Sequence, residues 1–361
     1  MKVREAVRRM GAYHPPLEMR VERDYLLLDF SESTVPPDPA VLEAMKGFID
    51  SGRVRMYPAY GGFTGRLAAY AGTAPDQVLI TNGSDSAIQL ITHVLLEPGD
   101  EMIMAKPGFY VTESCALSCG AAVVSPLYRG PEMDFPLEEV LAAMTPRTRL
   151  IVVVSPNNPT GTSAGLEQIE TILAAHPDIA VMVDEAYHEF SGATAVPLLA
   201  RHDNLVITRT FSKAFALAGL RLGYALSNAD FIAELGKIRI PYDVNALAVV
   251  AAEAQLARPA SWQAYVREVM TRAKPMVERF LAEHGVPFIP SDANFLLVRP
   301  DDVQAACRHL QAHDILVRPQ RAPVADTFRV SIGTVADMRR FMEVFSRYPG
   351  LRAPSGAQAR A

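Results

Sequence analysis

The chain has 361 residues, of which 49% are hydrophobic and 21% are charged, with a formal net charge of -5. This composition is typical of a globular protein and excludes a disordered or fibrous chain. Acidic and basic residues are interspersed without a basic stripe, so we expect no nucleic-acid partner. A chain of this length can bury a large core, and we expect two closely packed lobes.

The N-terminal segment and the cysteines indicate the compartment. The first 16 residues are basic but include no apolar stretch of the secretory kind, and no later apolar run is long enough to cross a bilayer. The chain has three cysteines, and Cys115 and Cys119 have no partners at metal-ligand spacing. We therefore expect a cytoplasmic protein with reduced thiols, no bound metal and no membrane partner.

From about residue 77, short β-rich runs alternate with helix-like segments. This alternation predicts an α/β fold with a mostly parallel central sheet flanked by helices. Ligands gather at the carboxyl ends of the strands in such a sheet, because the connecting loops converge there. Polar groups follow four of the runs, at residues 82–85, at residues 155–160, at Asp184 and at Lys213, so we expect one site. The runs are QVLIT, EMIMA, AAVVSPL, LIVVV, AVMVD and LVITRT.

The pattern changes after Pro241. A long amphipathic segment is followed by the strand-like runs ANFLLVR, DILVR and FRVSIGT, which predict a smaller α+β domain. We expect residues 1–35 to form an N-terminal arm on that domain, residues 36–245 the large domain and residues 246–361 the small C-terminal domain.

Lys213 lies in a segment whose chemistry suits a phosphate-bearing aldehyde. A small apolar run follows it, and burial lowers the pKa of a lysine and makes its amine a nucleophile. The hydroxyls of Thr210 and Ser212 and the guanidinium of Arg221 suit a phosphate nearby. Ser84 and Asp85 begin a helix-like segment after a strand, where free N–H groups also bind phosphate, although either residue could act as a helix cap alone.

Three residues could contact the ring of such a ligand. Asp184 ends an apolar strand, where a carboxylate is costly unless it meets a cation such as a pyridinium, or it could cap the next helix. Asn157 and Tyr187 could both donate to a ring oxygen, or both could be structural.

Tyr110 follows a Pro-Gly turn and could stack on the ring, or it could be an ordinary core residue. Arg329 lies in an apolar strand and needs a carboxylate or phosphate partner. Arg318 is closer to a turn, where a surface salt bridge is the default expectation.

Six motifs over residues 25–345 resemble fold-type I aminotransferases that use pyridoxal 5'-phosphate, especially the histidinol-phosphate aminotransferase branch. The resemblance implies that Lys213 is the Schiff-base lysine and that Asp184 pairs with the pyridine nitrogen. It implies that Asn157 and Tyr187 serve the ring oxygen and that Tyr110 covers the ring. The phosphate would be held by Ser84, Asp85, Thr210, Ser212, Arg221 and, from the other subunit of an obligate homodimer, Tyr57. The motifs are NGSD, SPNNPTG, VDEAY, TFSKAFALAGLRLGY, PYDVNALA and FRVSIGT.

The resemblance also implies a substrate site. Arg329 would bind a substrate anion, Arg318 resembles the second arginine of histidinol-phosphate enzymes, and Tyr13 would close over the substrate. Two departures are the segment FSESTVPPDP, where the family often has Asn-Glu-Asn-Pro, and Ser86, where a glutamate is common.

We therefore expect transfer of an amino group from a donor, expected to be glutamate, to a keto or aldehyde acceptor, with histidinol phosphate and imidazole acetol phosphate as the candidate pair. The alternatives are an aminotransferase for aromatic or other amino acids and a decarboxylase of a phosphorylated amino acid. A cofactor-sensing regulator is a further alternative, although the chain has neither the extra length nor the basic helix-turn-helix that such proteins carry.

Overall fold

The structure is a computed structural model that describes residues 1–12 and 15–352. Tyr13, expected at the substrate, lies outside the described residues. The strands are β1 (Leu26–Leu27), β2 (Val78–Thr81), β3 (Glu101–Met104), β4 (Ala122–Val124), β5 (Thr148–Val154), β6 (Ala180–Asp184), β7 (Leu205–Thr210), β8 (Gly223–Leu226), β9 (Phe288–Ile289), β10 (Phe295–Val298), β11 (Ile315–Leu316), β12 (Arg318–Pro319) and β13 (Phe328–Ser331).

Helices alternate with these strands over most of the described chain. They are α1 (Glu5–Arg8), α2 (Pro39–Asp50), α3 (Gly61–Ala71), α4 (Gly83–Leu95), α5 (Tyr110–Cys119), α6 (Leu137–Ala142), α7 (Leu166–Ala175), α8 (His188–Ser191), α9 (Ala229–Ile238), α10 (Ala246–Leu256), α11 (Pro259–Glu268), α12 (Lys274–Glu283), α13 (Val303–Ala312) and α14 (Val335–Ser346).

The central sheet has seven strands in the order β2-β8-β7-β6-β5-β3-β4. Strand β8 runs antiparallel to both of its neighbours, β2 and β7, and the other adjacent pairs are parallel. This topology confirms the predicted mostly parallel sheet. It also brings the carboxyl ends of β2, β5, β6 and β7 to one edge, where the polar motifs follow.

Both faces of the central sheet are buried. Alternate residues of β6 belong to two separate core clusters, with Val181 and Val183 in one and Met182 in the other. Because both faces are covered, the strands consist mainly of apolar residues instead of alternating regularly between apolar and polar residues. Helices α3, α7 and α10 contribute to the first cluster, and α4, α5 and α9 contribute to the second.

A smaller antiparallel sheet, in the order β12-β13-β10-β9, forms near the C-terminus and confirms the predicted second α+β unit. The N-terminal strand β1 pairs in parallel with β11, opposite Ile315 and Leu316. Helix α10 packs against α2 and α3. The exact domain boundaries, at residues 35 and 245, stay predictions.

Within residues 1–12 and 15–352, no helix is both long enough and apolar enough to cross a membrane.

Candidate active site

Lys213 lies three residues beyond the end of β7, and its side chain points into the interior. Its Nζ donates a hydrogen bond of 2.7 Å to the carbonyl oxygen of Phe30. Burial, together with the positive charge of Arg329, lowers the pKa of this amine to about 8. A substantial fraction of the amine is therefore neutral near physiological pH, as a nucleophile requires.

Asp184, at the end of β6, is a buried carboxylate. It is 3% exposed, and its Oδ1 accepts a hydrogen bond of 3.1 Å from Thr208 Oγ1 on the neighbouring strand. Burial raises the pKa of Asp184 to about 7. No lysine or arginine of the described residues lies within ion-pair distance of it. The alternative role as a cap is not observed, because α8 begins at His188 and its first flanking residue is Tyr187.

An anion cup lies where β2, β7 and β8 meet. Arg221 Nη2 is 2.9 Å from Asp85 Oδ2, and Arg221 Nη1 donates to Ser212 Oγ at 3.3 Å. Thr210 Oγ1 donates to Ser212 Oγ at 2.9 Å. Helix α4 begins here with Gly83 and Ser84, so its N-terminal N–H groups add to the positive potential. The cup thus joins a guanidinium, two hydroxyls and a helix start.

Two glycines let the walls of the cup approach each other. A Cβ on Gly83 would lie 2.7 Å from Arg221 Nη2, and Gly83 has a φ of +79°. A Cβ on Gly223 would lie 2.3 Å from the backbone nitrogen of Ser84. Any side chain at Gly223 would therefore push the first strand residue of β8 away from the start of α4.

The two consecutive asparagines of SPNNPTG have different surroundings. The side-chain amide of Asn157 is buried and donates to Pro107 O at 3.0 Å and to Thr160 Oγ1 at 2.9 Å. Asn158 Nδ2 instead donates to the hydroxyl of Tyr187 at 3.3 Å. Both asparagines lie in one turn, so the sequence motif does not distinguish between them. The predicted residue, Asn157, uses its side-chain amide for hydrogen bonds within the loop.

Tyr187 itself is buried beneath Lys213. The Lys213 Nζ lies 5.6 Å from the centroid of the Tyr187 ring, and the ring packs edge-on against Phe295. Burial raises the pKa of the Tyr187 hydroxyl, and the nearby charge of Arg329 opposes that effect. The phenol is therefore positioned as a hydrogen-bond donor close to the amine.

The two predicted substrate arginines lie on adjacent strands. Arg318 on β12 is directly opposite Arg329 on β13, so their side chains leave the same face of the small sheet. Arg329 Nη2 donates to the carbonyl oxygen of Asp29 at 2.9 Å, and its Nη1 donates to Asn158 Oδ1. The Cζ of Arg318 lies 5.2 Å from the ring centroid of Phe30.

A third arginine joins this group, and the sequence did not reveal it. Arg20, from the N-terminal segment, lies with its Cζ 4.9 Å from the Phe30 ring centroid and forms an ion pair with Glu32. A cavity of about 320 Å³ adjoins the same segment, with Glu32, Ser212 and Gly219 among its lining residues. That volume is in the range of small-molecule sites.

The two other described tyrosines that we expected at the cofactor, Tyr110 and Tyr57, differ in position. Tyr110 begins α5, and its hydroxyl donates to the carbonyl oxygen of Gly11 at 3.0 Å. Tyr57 is 80% exposed and stacks on Tyr242 at a centroid distance of 4.5 Å, so it faces outward from this chain.

Residues 23–345 match the family described as aminotransferase class I and II. The chain belongs to this family. A histidinol-phosphate aminotransferase from Moorella thermoacetica is 34% identical, over 96% of this chain and 92% of that protein. A dihydroxyacetone phosphate transaminase from Campylobacter jejuni is 32% identical, over 91% of each chain.

Among solved structures, the histidinol-phosphate aminotransferase from Sinorhizobium meliloti in complex with pyridoxal-5'-phosphate superposes with a TM-score of 0.85. It is 26% identical, and the match covers 96% of this chain and 98% of that one. The protein is therefore a pyridoxal 5'-phosphate-dependent aminotransferase, as expected from its motifs.

The described residues fit this cofactor. Asp184 is a buried carboxylate that needs a cation, and a protonated ring nitrogen is one. The cup around Arg221 suits a phosphate, and Lys213 supplies an amine of lowered pKa. When bound, pyridoxal 5'-phosphate withdraws the electrons left on the substrate α-carbon after proton loss.

Substituting Gly223→Ala should weaken binding of the cofactor about tenfold or more, because the added Cβ displaces the start of α4 from the cup. Spectrophotometric titration of the apoprotein measures this change. Gly236→Ala in α9 is the matched control, since nothing lies within 4 Å of its Cβ position. Wild-type affinity in the Gly223→Ala protein would contradict the account of the cup.

The rate of covalent attachment of the cofactor to the apoprotein should rise with pH, with a midpoint near pH 8, because only the neutral Lys213 amine attacks and its pKa is lowered to about 8. Stopped-flow absorbance measures the rate. Arg329→Met should move the midpoint upward, since it removes a positive charge that lowers this pKa. A midpoint at the ordinary lysine pKa would show that the amine is not buried.

Proposed function

We propose that this aminotransferase moves an amino group between glutamate and a phosphate-bearing keto or aldehyde acceptor, with Lys213 and Asp184 as its central catalytic residues. The proposal is carried by two groups at the ends of adjacent strands: Lys213, whose pKa is lowered, lies just after β7, and Asp184, which has no lysine or arginine partner among residues 1–12 and 15–352, ends β6. Both groups need a partner of the kind that this cofactor provides.

In this proposal Lys213 has two tasks. Its neutral amine would anchor the cofactor through the aldehyde group, with loss of water, and the amine of the incoming substrate would release it again. Its Nζ, held near the carbonyl of Phe30 and the ring of Tyr187, would then act as general base for the proton on the substrate α-carbon and, in the protonated form, as general acid. One residue therefore acts as anchor and as general acid-base.

Asp184 would hold the proton on the ring nitrogen, and its hydrogen bond from Thr208 would fix the orientation of the carboxylate. We propose Tyr187 and Asn158 as the hydrogen-bond donors to the ring oxygen of the cofactor. The expected donor Asn157 is a weaker candidate, because its amide nitrogen already has two partners in the loop. Tyr110 stays a proposed stacking residue.

For the phosphate we propose the hydroxyls of Thr210 and Ser212, the guanidinium of Arg221 and the start of α4 at Ser84 and Asp85. Since Asp85 is a carboxylate bound to Arg221, its task is to orient the guanidinium.

A homodimer would complete this cup. Large apolar side chains are exposed in two stretches of the chain, which suits an interface between copies. Tyr57 lies among them and could reach the phosphate of the other subunit. These side chains are Val54, Met56, Tyr57, Ile238, Ile240 and Tyr242. A cytoplasmic location also stays a prediction.

The proposed acceptor carries a phosphate because Arg318 and Arg329 lie side by side on the small sheet. The names of the relatives from Moorella thermoacetica and Campylobacter jejuni both include a phosphate compound. We propose histidinol phosphate and imidazole acetol phosphate as the first pair to test, with glutamate as the other amino compound.

Lys213→Ala should abolish covalent attachment of the cofactor and lower turnover by several orders of magnitude, because one group has both tasks. Absorbance of the protein-bound cofactor and steady-state rates measure the two effects. Full activity in this variant would refute the assignment.

The Lys213→Ala protein also tests the shared site. When it is mixed with a Tyr57→Ala protein, one of the two sites in each mixed dimer has both residues intact, so activity should return. Mixing that restores nothing, with mixed dimers present by mass spectrometry, would contradict a site shared between subunits.

Arg318→Met should weaken the use of histidinol phosphate roughly 10- to 100-fold in kcat/KM while leaving histidinol nearly unchanged, because a charged hydrogen bond to phosphate is lost. Rates with both compounds measure the difference. Arg321→Met, an exposed cation in the following loop, is the control. Equal losses with both compounds would contradict phosphate binding, and release of carbon dioxide without a keto acid would indicate a decarboxylase.

A further inference from the structure

A buried ion pair lies directly behind the site. Arg209 Nε donates to Glu185 Oε2 at 2.8 Å, and Arg209 Nη2 lies 2.8 Å from the same oxygen. The side chains are 3% and 2% exposed. Among the ion pairs of residues 1–12 and 15–352, it alone has both side chains less than 5% exposed.

The polar atoms of this pair are well supplied with partners. The hydroxyl of Thr194 donates to Glu185 Oε2 at 3.0 Å, and the backbone N–H of Ala195 donates to Glu185 Oε1 at 2.5 Å. Arg209 Nη2 also donates to Thr194 Oγ1 at 2.7 Å. The pair therefore ties the ends of β6 and β7 to the loop around Thr194.

Its place in the sheet connects it to the proposed catalytic groups. Asp184 is in register with Thr208 on β7, and the backbone N–H of Glu185 donates to Thr208 O at 2.9 Å. Consecutive side chains of a strand point to opposite faces, so Asp184 contacts Thr208 while Glu185 contacts Arg209. The Glu185–Arg209 ion pair is therefore one residue further along both strands than the Asp184–Thr208 pair.

A contribution to folding stability does not by itself explain why this ion pair is buried. Burying two charges costs desolvation, and apolar residues of similar size often serve stability as well or better. The ionisable groups around it are Tyr224, which is opposite Arg209 on β8, and Glu189, which contacts Tyr70 and His188. A pair with fixed geometry at this point constrains where the two strand ends lie.

We propose that Glu185 and Arg209 are positioning residues, which fix the separation between Asp184 and residues 210–213 and thereby set the protonation of the bound cofactor. The inference rests on the role proposed above for Asp184. Neither side chain touches the site, so both would act through the strand ends that they join.

The test is the double variant Glu185→Gln/Arg209→Met, in which both charges are removed together and the amide oxygen introduced at position 185 can still accept from the N–H of Ala195. We expect the dissociation constant of the cofactor to rise about tenfold or more. We also expect the pH at which the bound cofactor changes its absorbance to shift by about half a unit or more. The melting temperature of the apoprotein is measured in parallel.

The matched control is Glu101→Gln/Arg147→Met, which removes an ion pair at the opposite, amino end of the same sheet. It should change the melting temperature without moving either cofactor property. Wild-type affinity and transition pH in the Glu185→Gln/Arg209→Met protein would overturn the proposal.

If the double variant fails to fold, the single variant Arg209→Lys tests the positioning proposal instead. It keeps the buried charge, but a single ammonium cannot reproduce the donation of Arg209 from two nitrogens to Glu185 and Thr194. A shifted transition pH supports positioning, and an unchanged one overturns it. Asp184→Asn distinguishes failure of the positioning proposal from failure of the proposed role of Asp184. If Asp184→Asn leaves the transition pH unchanged, the proposed role of Asp184 is wrong. If Asp184→Asn shifts the transition pH but the Glu185 and Arg209 variants do not, only the positioning proposal is overturned.

Discussion

The site depends on one unfavourable placement: Asp184 is a carboxylate removed from water, with a hydroxyl as its side-chain partner. A lone buried charge is costly, so the pKa of this group is shifted upward in the protein alone. A protonated heterocycle beside the carboxylate forms a favourable ion pair. In the proposed function, the relief of this uncompensated buried charge would contribute to binding of the ring nitrogen, and the same ion pair would keep the ring electron-withdrawing.

Much of this arrangement could be predicted from the chain alone. Runs such as AVMVD and LVITRT end on Asp184 and Thr210, and strand ends in a parallel sheet meet at one edge, so the convergence of Asp184, Lys213 and Arg221 followed from topology. The single reversed strand, β8, was not predicted. Its apolar sequence is too short to show its direction, which is determined by pairing with β2 and β7.

Side-chain choices between neighbours could not be predicted. Asn157 and Asn158 have the same chemistry in the same turn, and the local backbone path decides which amide reaches Tyr187. Arg20 is one of several cations in a basic N-terminal region, and the sequence does not distinguish it from the others. Its place at the site comes from contacts with Phe30 and Glu32, which helical or strand periodicity cannot predict. Likewise, the pairing of Arg318 with Arg329 depends on register.

The reversal of β8 has a mechanical effect on the lysine. The loop that bears Lys213 leaves the sheet at Thr210 and returns at Gly223, on the adjacent strand, with Thr210 paired to Gly223. Both ends of the loop are therefore held by hydrogen-bonded neighbouring strands of the central sheet. The backbone of the loop has little room to swing, so the amine must travel by rotation of its own four-carbon chain, and inserting or deleting a residue in that loop would misplace the nucleophile and the guanidinium together.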